Sequence, residues 1–346
     1  MTFINVILKE NRYMNRLLKL MRLTKHKEER SLHPFWVLVG KEIADHIRSW
    51  RFIILLLLIL LTCVGSLYTS ISNITKAVAK PDDPDGGFLF LKLFTLSDGS
   101  LPPFHVFIGF LGPLLGISLG FDAINSEQNA GTLSRVMAQP IHRDYLLNAK
   151  FTGALLVIST LFFALGFLVM GLGLIIIGIP PSAQEFMRII FFIVLSILYV
   201  AFWLNLSILF SVKFQQAATS ALTAIAVWLF FTVFYQIIIS VVAKAMMPAD
   251  TGNPYQMMSY QKFIMGLLSI VPSQLYSDAT TTLLMPSVRS LGPLTMEQVY
   301  GAIPSPLPLR ESLIIVWPQL TGLIAATVLC FALSYYTFMR KEIKSR

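Results

Sequence analysis

A polar segment between two long apolar runs carries the side chains best placed for chemistry. It covers residues 122–150 and includes the charged residues Glu127, Arg135 and Arg143. Gly131 and Pro140 are helix breakers, so any helix in this segment must be short. The mixture of apolar and charged residues predicts a short amphipathic helix between two membrane spans. Such a helix suits the docking of a soluble partner, and the same residues also fit a solvated connector.

A second set of charges precedes the first apolar run. Between residues 34 and 51, apolar side chains recur every three or four positions, and Lys41, Glu42, Asp45 and Arg48 fill the gaps. This spacing predicts an amphipathic helix that enters the first span. Its role is open between a mechanical element and a plain interfacial anchor. Residues 1–30 add a basic extension for which we expect contact with anionic lipids.

The composition determines the class of protein that must position these charges. Of 346 residues, 55% are apolar and only 13% are charged, whereas soluble domains carry about 25% charged residues. This balance excludes a cytosolic enzyme, a secreted disulfide scaffold and a disordered chain. The net charge of +9 is then loop charge that sets membrane orientation, so we expect no nucleic-acid partner.

Six apolar runs are long enough to cross a bilayer, which needs about 20 helical residues. The predicted spans are residues 51–71, 104–121, 151–179, 189–212, 217–243 and 313–339. The run 263–271 is too short to span and suits an interfacial or re-entrant helix. The predicted fold class is therefore an all-α integral membrane protein with six spans, an amphipathic N-terminal helix and short external helices.

The basic residues predict how the chain is oriented. One side of the six spans would hold 19 Lys and Arg residues and the other side 8, and the richer side is expected in the cytoplasm. Both termini are then cytoplasmic, with residues 1–50 as a basic N-terminal region and 340–346 as a tail. The spans and their loops occupy 51–339, with an internal loop at 122–150 and a long external segment at 244–312.

No catalytic constellation accompanies these spans. The sequence has no phosphate-binding P-loop, no His-Glu-x-x-His and no Gly-x-Ser-x-Gly, so we predict no catalytic residues and no ATP hydrolysis by this chain. Cys63 and Cys330 lie in apolar runs without Cys or His neighbours, so no metal site is predicted. The expected scarcity of ionisable residues inside the spans argues against a proton-coupled carrier, a charged-filter channel and an intramembrane protease.

Three glycines in the second span predict a close helix contact. Gly112, Gly116 and Gly120 recur at four-residue spacing, so they lie near one helix face. Small residues at this spacing let another helix approach closely. Packing within the chain is the favoured interpretation, and a subunit interface is the alternative.

The polar segment also resembles the signature of ABC-2 type transporter permeases. That family carries a Glu-x-Glu-x-Gly-Thr-Leu run, then a Pro and an Arg, and then a Lys that opens the next span. The matching residues here are Glu127 to Leu133, Pro140 to Arg143, and Lys150. Residues 41–52 and 272–276 are similar to further family features, so the resemblance covers about residues 34–340. One departure is Asn129, which stands where the family has its second acid.

The resemblance implies an assembly and a mechanism. Two cytoplasmic ATP-binding subunits would dock below two permease subunits, either identical or sister chains, in the cell membrane of a prokaryote. ATP and Mg²⁺ would bind to the partner subunits, and no cofactor to this chain. The coupling residues implied are Glu127, Gly131, Thr132, Leu133, Arg135 and Arg143, with Lys41, Glu42 and Arg48 in support. Gly131 is equally well explained as a helix breaker.

The function implied is that of an ABC-2 permease subunit, with export as the expected direction. An alternative is a membrane scaffold or assembly factor that recruits a cytoplasmic partner without transport, because the same docking loop would serve it. A secondary transporter is a weaker alternative, since the predicted spans lack ion-relay residues. The substrate is barely constrained, although the many apolar residues of the spans favour a lipid-like, peptide or drug-like cargo.

Overall fold

The computed structural model of the chain describes residues 33–78, 87–97, 99–133, 138, 142–247, 254–288 and 306–341. Within these ranges the regular structure is entirely helical. The helices are α1 (Pro34–Arg48), α2 (Trp50–Val78), α3 (Leu89–Thr95), α4 (Phe104–Gly120), α5 (Asn125–Asn129), α6 (Arg143–Ile177), α7 (Ala183–Lys213), α8 (Ala217–Leu229), α9 (Tyr235–Ala245), α10 (Pro254–Leu268), α11 (Pro272–Leu284) and α12 (Leu309–Arg340).

The prediction of six membrane-crossing helices is confirmed. They are formed by α2, by α4 continued through α5, by α6, by α7, by α8 joined to α9, and by α12. A π-helical turn at Phe230–Phe234 joins α8 to α9. Two helices begin earlier than their apolar runs, α6 at Arg143 and α7 at Ala183. The connection between the second and third spans is therefore shorter than residues 122–150.

Helix α7 lies at the centre of the bundle. It packs against α4, α6, α8, α11 and α12, and its faces are apolar almost all round, as expected for a helix surrounded by other helices. Near its beginning, Phe192 joins Phe94 and Phe104 in an edge-to-face cluster with ring centroids 5.4–6.4 Å apart. Further along, Tyr199 stacks on Tyr276 of α11 at 4.4 Å. Helix α11 is thereby held within the bundle.

The three glycines of α4 bring that helix into backbone contact with α7. A Cβ atom on Gly116 would lie 2.7 Å from the carbonyl oxygen of Val200, and one on Gly120 would lie 2.8 Å from that of Leu204. On Gly112 it would meet the Val200 side chain at 2.8 Å. The glycines thus face another helix of the same chain, and the Ser207 hydroxyl donates a hydrogen bond to the Ile117 carbonyl beside them.

The fifth span, α8 with α9, is the least covered of the six. Only 11% of its most apolar stretch is buried within the chain. Leu222, Ile237 and Val241 are among its exposed apolar side chains. Such a helix needs lipid or another subunit around it, because in water a large apolar surface would be exposed to solvent.

Two buried charged residues organise the end of the bundle where α7 begins. Glu185 accepts hydrogen bonds from the backbone of Ser182 and from the Phe90 N–H at the start of α3. Arg188 is fully buried and donates to the carbonyl oxygens of Leu283, at 2.9 Å, and Leu307, at 2.6 Å. The predicted fourth span began at residue 189, whereas α7 begins at Ala183 and so includes both residues.

Replacing Arg188 with methionine is expected to lower the free energy of unfolding by about 1–3 kcal/mol, since two buried carbonyl groups lose their donor. Methionine retains the unbranched apolar part of the side chain. The measurement is thermal unfolding of the purified protein in detergent. Arg310→Met is the matched control, because Arg310 is exposed at the start of α12. Equal melting temperatures for the two variants would contradict the prediction.

Candidate functional site

Helix α1 lies against the beginning of the third span. Its Val39 and Glu42 side chains are buried against α6. Gly153 of α6 makes this contact close, since a Cβ atom there would lie 2.9 Å from the Cβ of Glu42. Helix α1 begins with Pro34 at its first position, which fits the free N–H groups of a helix start. This packing places the charged side chains of α1 beside those of α6.

A cluster of four charged residues joins α1, α5 and α6, and we call it the charged cluster: Lys41, Glu42, Glu127 and Lys150. The Nζ of Lys150 lies 3.0 Å from Glu42 Oε1 and 2.9 Å from Glu127 Oε1. The Nζ of Lys41 lies 3.3 Å and 3.2 Å from the same two oxygens. Each carboxylate therefore contacts both ammonium groups, although the residues come from three separate parts of the sequence.

The four residues differ in how far they are removed from solvent. The side chains of Lys150, Glu42 and Glu127 are 5%, 7% and 12% exposed, whereas that of Lys41 is 52% exposed. Burial by itself lowers the pKa of Lys41, but the charges and hydrogen bonds of Glu42 and Glu127 outweigh it and leave the pKa raised. Two cations and two carboxylates balance, as groups buried this deeply require.

Helix α5 is held in place by backbone and amide contacts. The N–H groups of Ile124 and Asn125 both donate to the hydroxyl of Ser211 near the end of α7. Asn129 donates through its side-chain amide to the Gln215 carbonyl at 3.0 Å. The residue that departs from the family signature thus ties α5 to the connection between α7 and α8. A carboxylate at this position could not donate that bond.

The turn after α5 requires its glycine. Gly131 has a φ of +68°, a left-handed conformation that other residues adopt only with strain. The Thr132 hydroxyl then donates to the Glu127 carbonyl, and Leu133 is buried in the core. Gly131 therefore allows the chain to turn after α5, and this role agrees with its interpretation as a helix breaker.

A second ion pair lies beside the charged cluster. The guanidinium of Arg51, at the start of α2, lies 2.7 Å from Asp122 Oδ2 and 4.9 Å from the centre of the Phe121 ring. The two contacts connect the first residues of the first span to the end of the second. Together with the charged cluster, they tie α1, α2 and α6 to the segment that carries α5.

Arg143 lies away from the charged cluster. Its Nη2 donates to the carbonyl oxygens of Phe338, at 2.8 Å, and Lys341 at the end of α12, and its guanidinium lies over the Phe338 ring. Lys341 in turn donates to the Val212 carbonyl at the end of α7. Cations at helix C-termini satisfy the last carbonyl groups and suit the helix dipole. These contacts join α6, α7 and α12 at the same end of the bundle.

The structure thus brings together three of the residues proposed for coupling: Lys41, Glu42 and Glu127. Arg48 is exposed, and no carboxylate of the described residues forms an ion pair with it. Arg135 lies outside the described residues. Lys150 is the most buried residue of the charged cluster. It was not among the residues proposed for coupling, although it was part of the signature that the sequence matched.

The arrangement offers electrostatic contact between helices. Within the described part of the chain no group of three His, Cys, Asp or Glu residues is placed to hold a metal ion. The Oε2 of Glu127 is buried and accepts no hydrogen bond from any described residue. The charged cluster thus connects α1, α5 and α6.

Comparison with known proteins gives a consistent result. The profile of the family described as "ABC-2 family transporter protein" matches residues 36–343. A probable ABC transporter permease protein NosY from Stutzerimonas stutzeri is 22% identical over 299 residues, which cover 86% of this chain and 98% of that protein. The NosY protein of Pseudomonas aeruginosa is 27% identical over 210 residues, covering 58% of this chain and 68% of that protein.

Proposed function

Because this chain belongs to the ABC-2 family of transporter proteins, we propose that it is the permease subunit of an ATP-driven exporter. Separate ATP-binding subunits would hydrolyse ATP, and the charged cluster would connect their movement to the spans. The family and two relatives named as ABC transporter permeases support the role of a transporter permease subunit. The chain is accordingly a multi-pass membrane protein of a prokaryotic transporter, and it pairs with an ATP-binding subunit.

The observation that carries the coupling role is the position of Glu127. It lies in α5, the last segment of the second span, and it contacts both the helix before the first span and the start of the third. A push on this segment would therefore act on α1 and α6 together. The two states of the transporter must differ in these contacts for coupling to occur.

The expected orientation places this end of the bundle in the cytoplasm. Of the described basic residues, those of α1, the start of α6, the end of α7 and the end of α12 share this end. The bias follows the rule that Lys and Arg accumulate on the cytoplasmic side. Two ATP-binding subunits and a second permease, identical or related, complete the proposed complex. ATP and Mg²⁺ would bind in the ATP-binding subunits.

Replacing Glu127 with arginine is expected to uncouple the complex. The cluster would then hold three cations and one carboxylate, so its contacts with Lys41 and Lys150 would become repulsive. We expect the stimulation of ATP hydrolysis by the permease to fall about tenfold or more, within the usual range of coupling energies. The measurement is ATP hydrolysis by the chain and its ATP-binding subunit, reconstituted together in lipid vesicles.

The matched control for this variant is Glu311→Arg. Glu311 is exposed in the first turn of α12, at the opposite end of the bundle, so its reversal should leave ATP hydrolysis unchanged. Both variants should insert into the membrane in equal amounts. Wild-type stimulation by the Glu127 variant would refute the coupling role of this residue.

The class of protein is tested by purification from native membranes. A tagged chain should carry an ATP-binding subunit with it in gentle detergent, and mass spectrometry would identify that subunit and any second permease. Recovery of the chain alone, under conditions that keep a known transporter complex intact, would favour the scaffold function instead.

A further inference from the structure

A groove lies between α1, the first turns of α2 and the adjoining part of α6. Its volume is about 310 Å³. Helix α1 contributes Ile43 and Ile47, helix α2 contributes Phe52, and the exposed positions of α6 in the groove are Leu156, Thr160 and Ala164. The three α6 positions are four residues apart, so they form one stripe along the helix.

The walls of the groove are apolar. No charged side chain lines it, and its one hydroxyl, on Thr160, donates to the Leu156 carbonyl of its own helix at 2.8 Å. The volume lies at the lower end of the ~300–1,000 Å³ typical of small-molecule sites. A narrow apolar groove on a spanning helix suits a single hydrocarbon chain.

Two basic residues, Arg48 and Arg51, are sequence neighbours of residues that line the groove. Arg48 follows Ile47 in the sequence, is exposed, and forms no ion pair with any described carboxylate. Of the nearest acids, Asp45 is paired with Lys41 at 3.7 Å and Asp122 with Arg51 at 2.7 Å. Trp50, between the two arginines, is 77% exposed. Exposed indole and guanidinium groups beside an apolar surface are typical of the membrane–water interface.

We propose that this groove binds one acyl chain of an anionic glycerophospholipid, whose phosphate is held at Arg48. The acyl chain would fill the space between α1 and α6 and so fasten α1 beside the charged cluster. The lipid would act as a structural ligand of the permease, selected by its charge. The inference stands on the groove and these neighbouring residues, and it does not depend on the transport function.

Filling the groove tests the acyl-chain part of the proposal. In Thr160→Trp the indole would occupy the space between α1 and α6. The purified chain, equilibrated with phosphatidylglycerol or phosphatidylcholine, is examined by native mass spectrometry for retained lipid. We expect the wild type to retain phosphatidylglycerol at least about tenfold more than phosphatidylcholine, a difference of roughly 1.4 kcal/mol. The Thr160 variant should lose one tightly held lipid per chain.

The control is Leu172→Trp, which places the same indole at another exposed position about 18 Å further along α6, outside the groove. This variant should retain lipid as the wild type does. Arg48→Gln, at an exposed position, should keep a bound lipid but lose the preference for phosphatidylglycerol. Equal retention of the two lipids by the wild type, or unchanged retention by the Thr160 variant, would overturn the proposal.

Discussion

Replacing Lys150 with methionine is expected to lower the free energy of unfolding by about 3–5 kcal/mol, the usual loss when one member of a buried ion pair is removed. Methionine keeps the length of the lysine side chain and removes its charge. Glu42 and Glu127 would then face each other with only the half-exposed Lys41 between them. Thermal unfolding of the purified chain in detergent measures the loss.

Neutralising the two carboxylates separates the electrostatic cause from lost packing. Adding Glu42→Gln and Glu127→Gln to the Lys150 variant should recover most of the lost stability, because no buried charge is then unpaired. Lys213→Met is the control, since Lys213 is exposed at the same end of the bundle, and it should change stability by less than about 0.5 kcal/mol. Failure of the triple variant to recover would show that the charges are not the cause.

Replacing Gly116 with leucine is expected to prevent close packing of α4 on α7. Even the first atom of the new side chain would lie 2.7 Å from a backbone oxygen of α7, so the two helices would have to separate. Overpacking of a core costs about 1–3 kcal/mol when side chains can move aside. Here the obstacle is backbone, so we expect a loss at or above the upper end of that range. The measurement is the yield and melting temperature of the purified protein.

Gly171→Leu provides the matched comparison for Gly116. Gly171 lies inside a spanning helix, and no atom lies within 4 Å of the position a Cβ would take. Leucine has a better helix propensity than glycine by up to about 1 kcal/mol, so this variant should be as stable as the wild type or more so. Equal destabilisation of the two variants would show that the α4–α7 contact is not the cause.

The spanning helices were predictable because the bilayer imposes a length and a composition on each of them. The residues at which α6 and α7 begin were not predictable in this way. An apolar run stops at its first charges, but both helices continue through Lys150 and Arg188, whose charged groups are satisfied by neighbouring helices. One local signal of the earlier start was present at α7. Ser182 and Glu185 form a capping box, which the spacing Ser-x-x-Glu predicts.

Three of the four residues of the charged cluster were among the residues singled out in the sequence, but the contacts between them were not predictable. The family signature drew attention to Glu127, and helical spacing placed Lys41 and Glu42 on one amphipathic helix. Nothing local joins the two, because Lys41 and Glu127 are 86 residues apart in the sequence. Likewise, the spacing of Gly112, Gly116 and Gly120 indicated a close helix contact without identifying α7 as the partner. Pairings of this kind depend on the tertiary arrangement of the helices.

The contacts made by Arg143 and Lys341 have a consequence for biosynthesis. Synthesis proceeds from the N-terminus, so α6 and α7 are in the membrane before α12 has been translated. Until then Arg143 lacks its acceptors at Phe338 and Lys341, and the Val212 carbonyl lacks its donor. Assembly of this end of the bundle is therefore completed only when the sixth span has been inserted. A chain that ended before Phe338 would leave the ribosome without the contacts that join the start of α6 and the end of α7 to the end of α12.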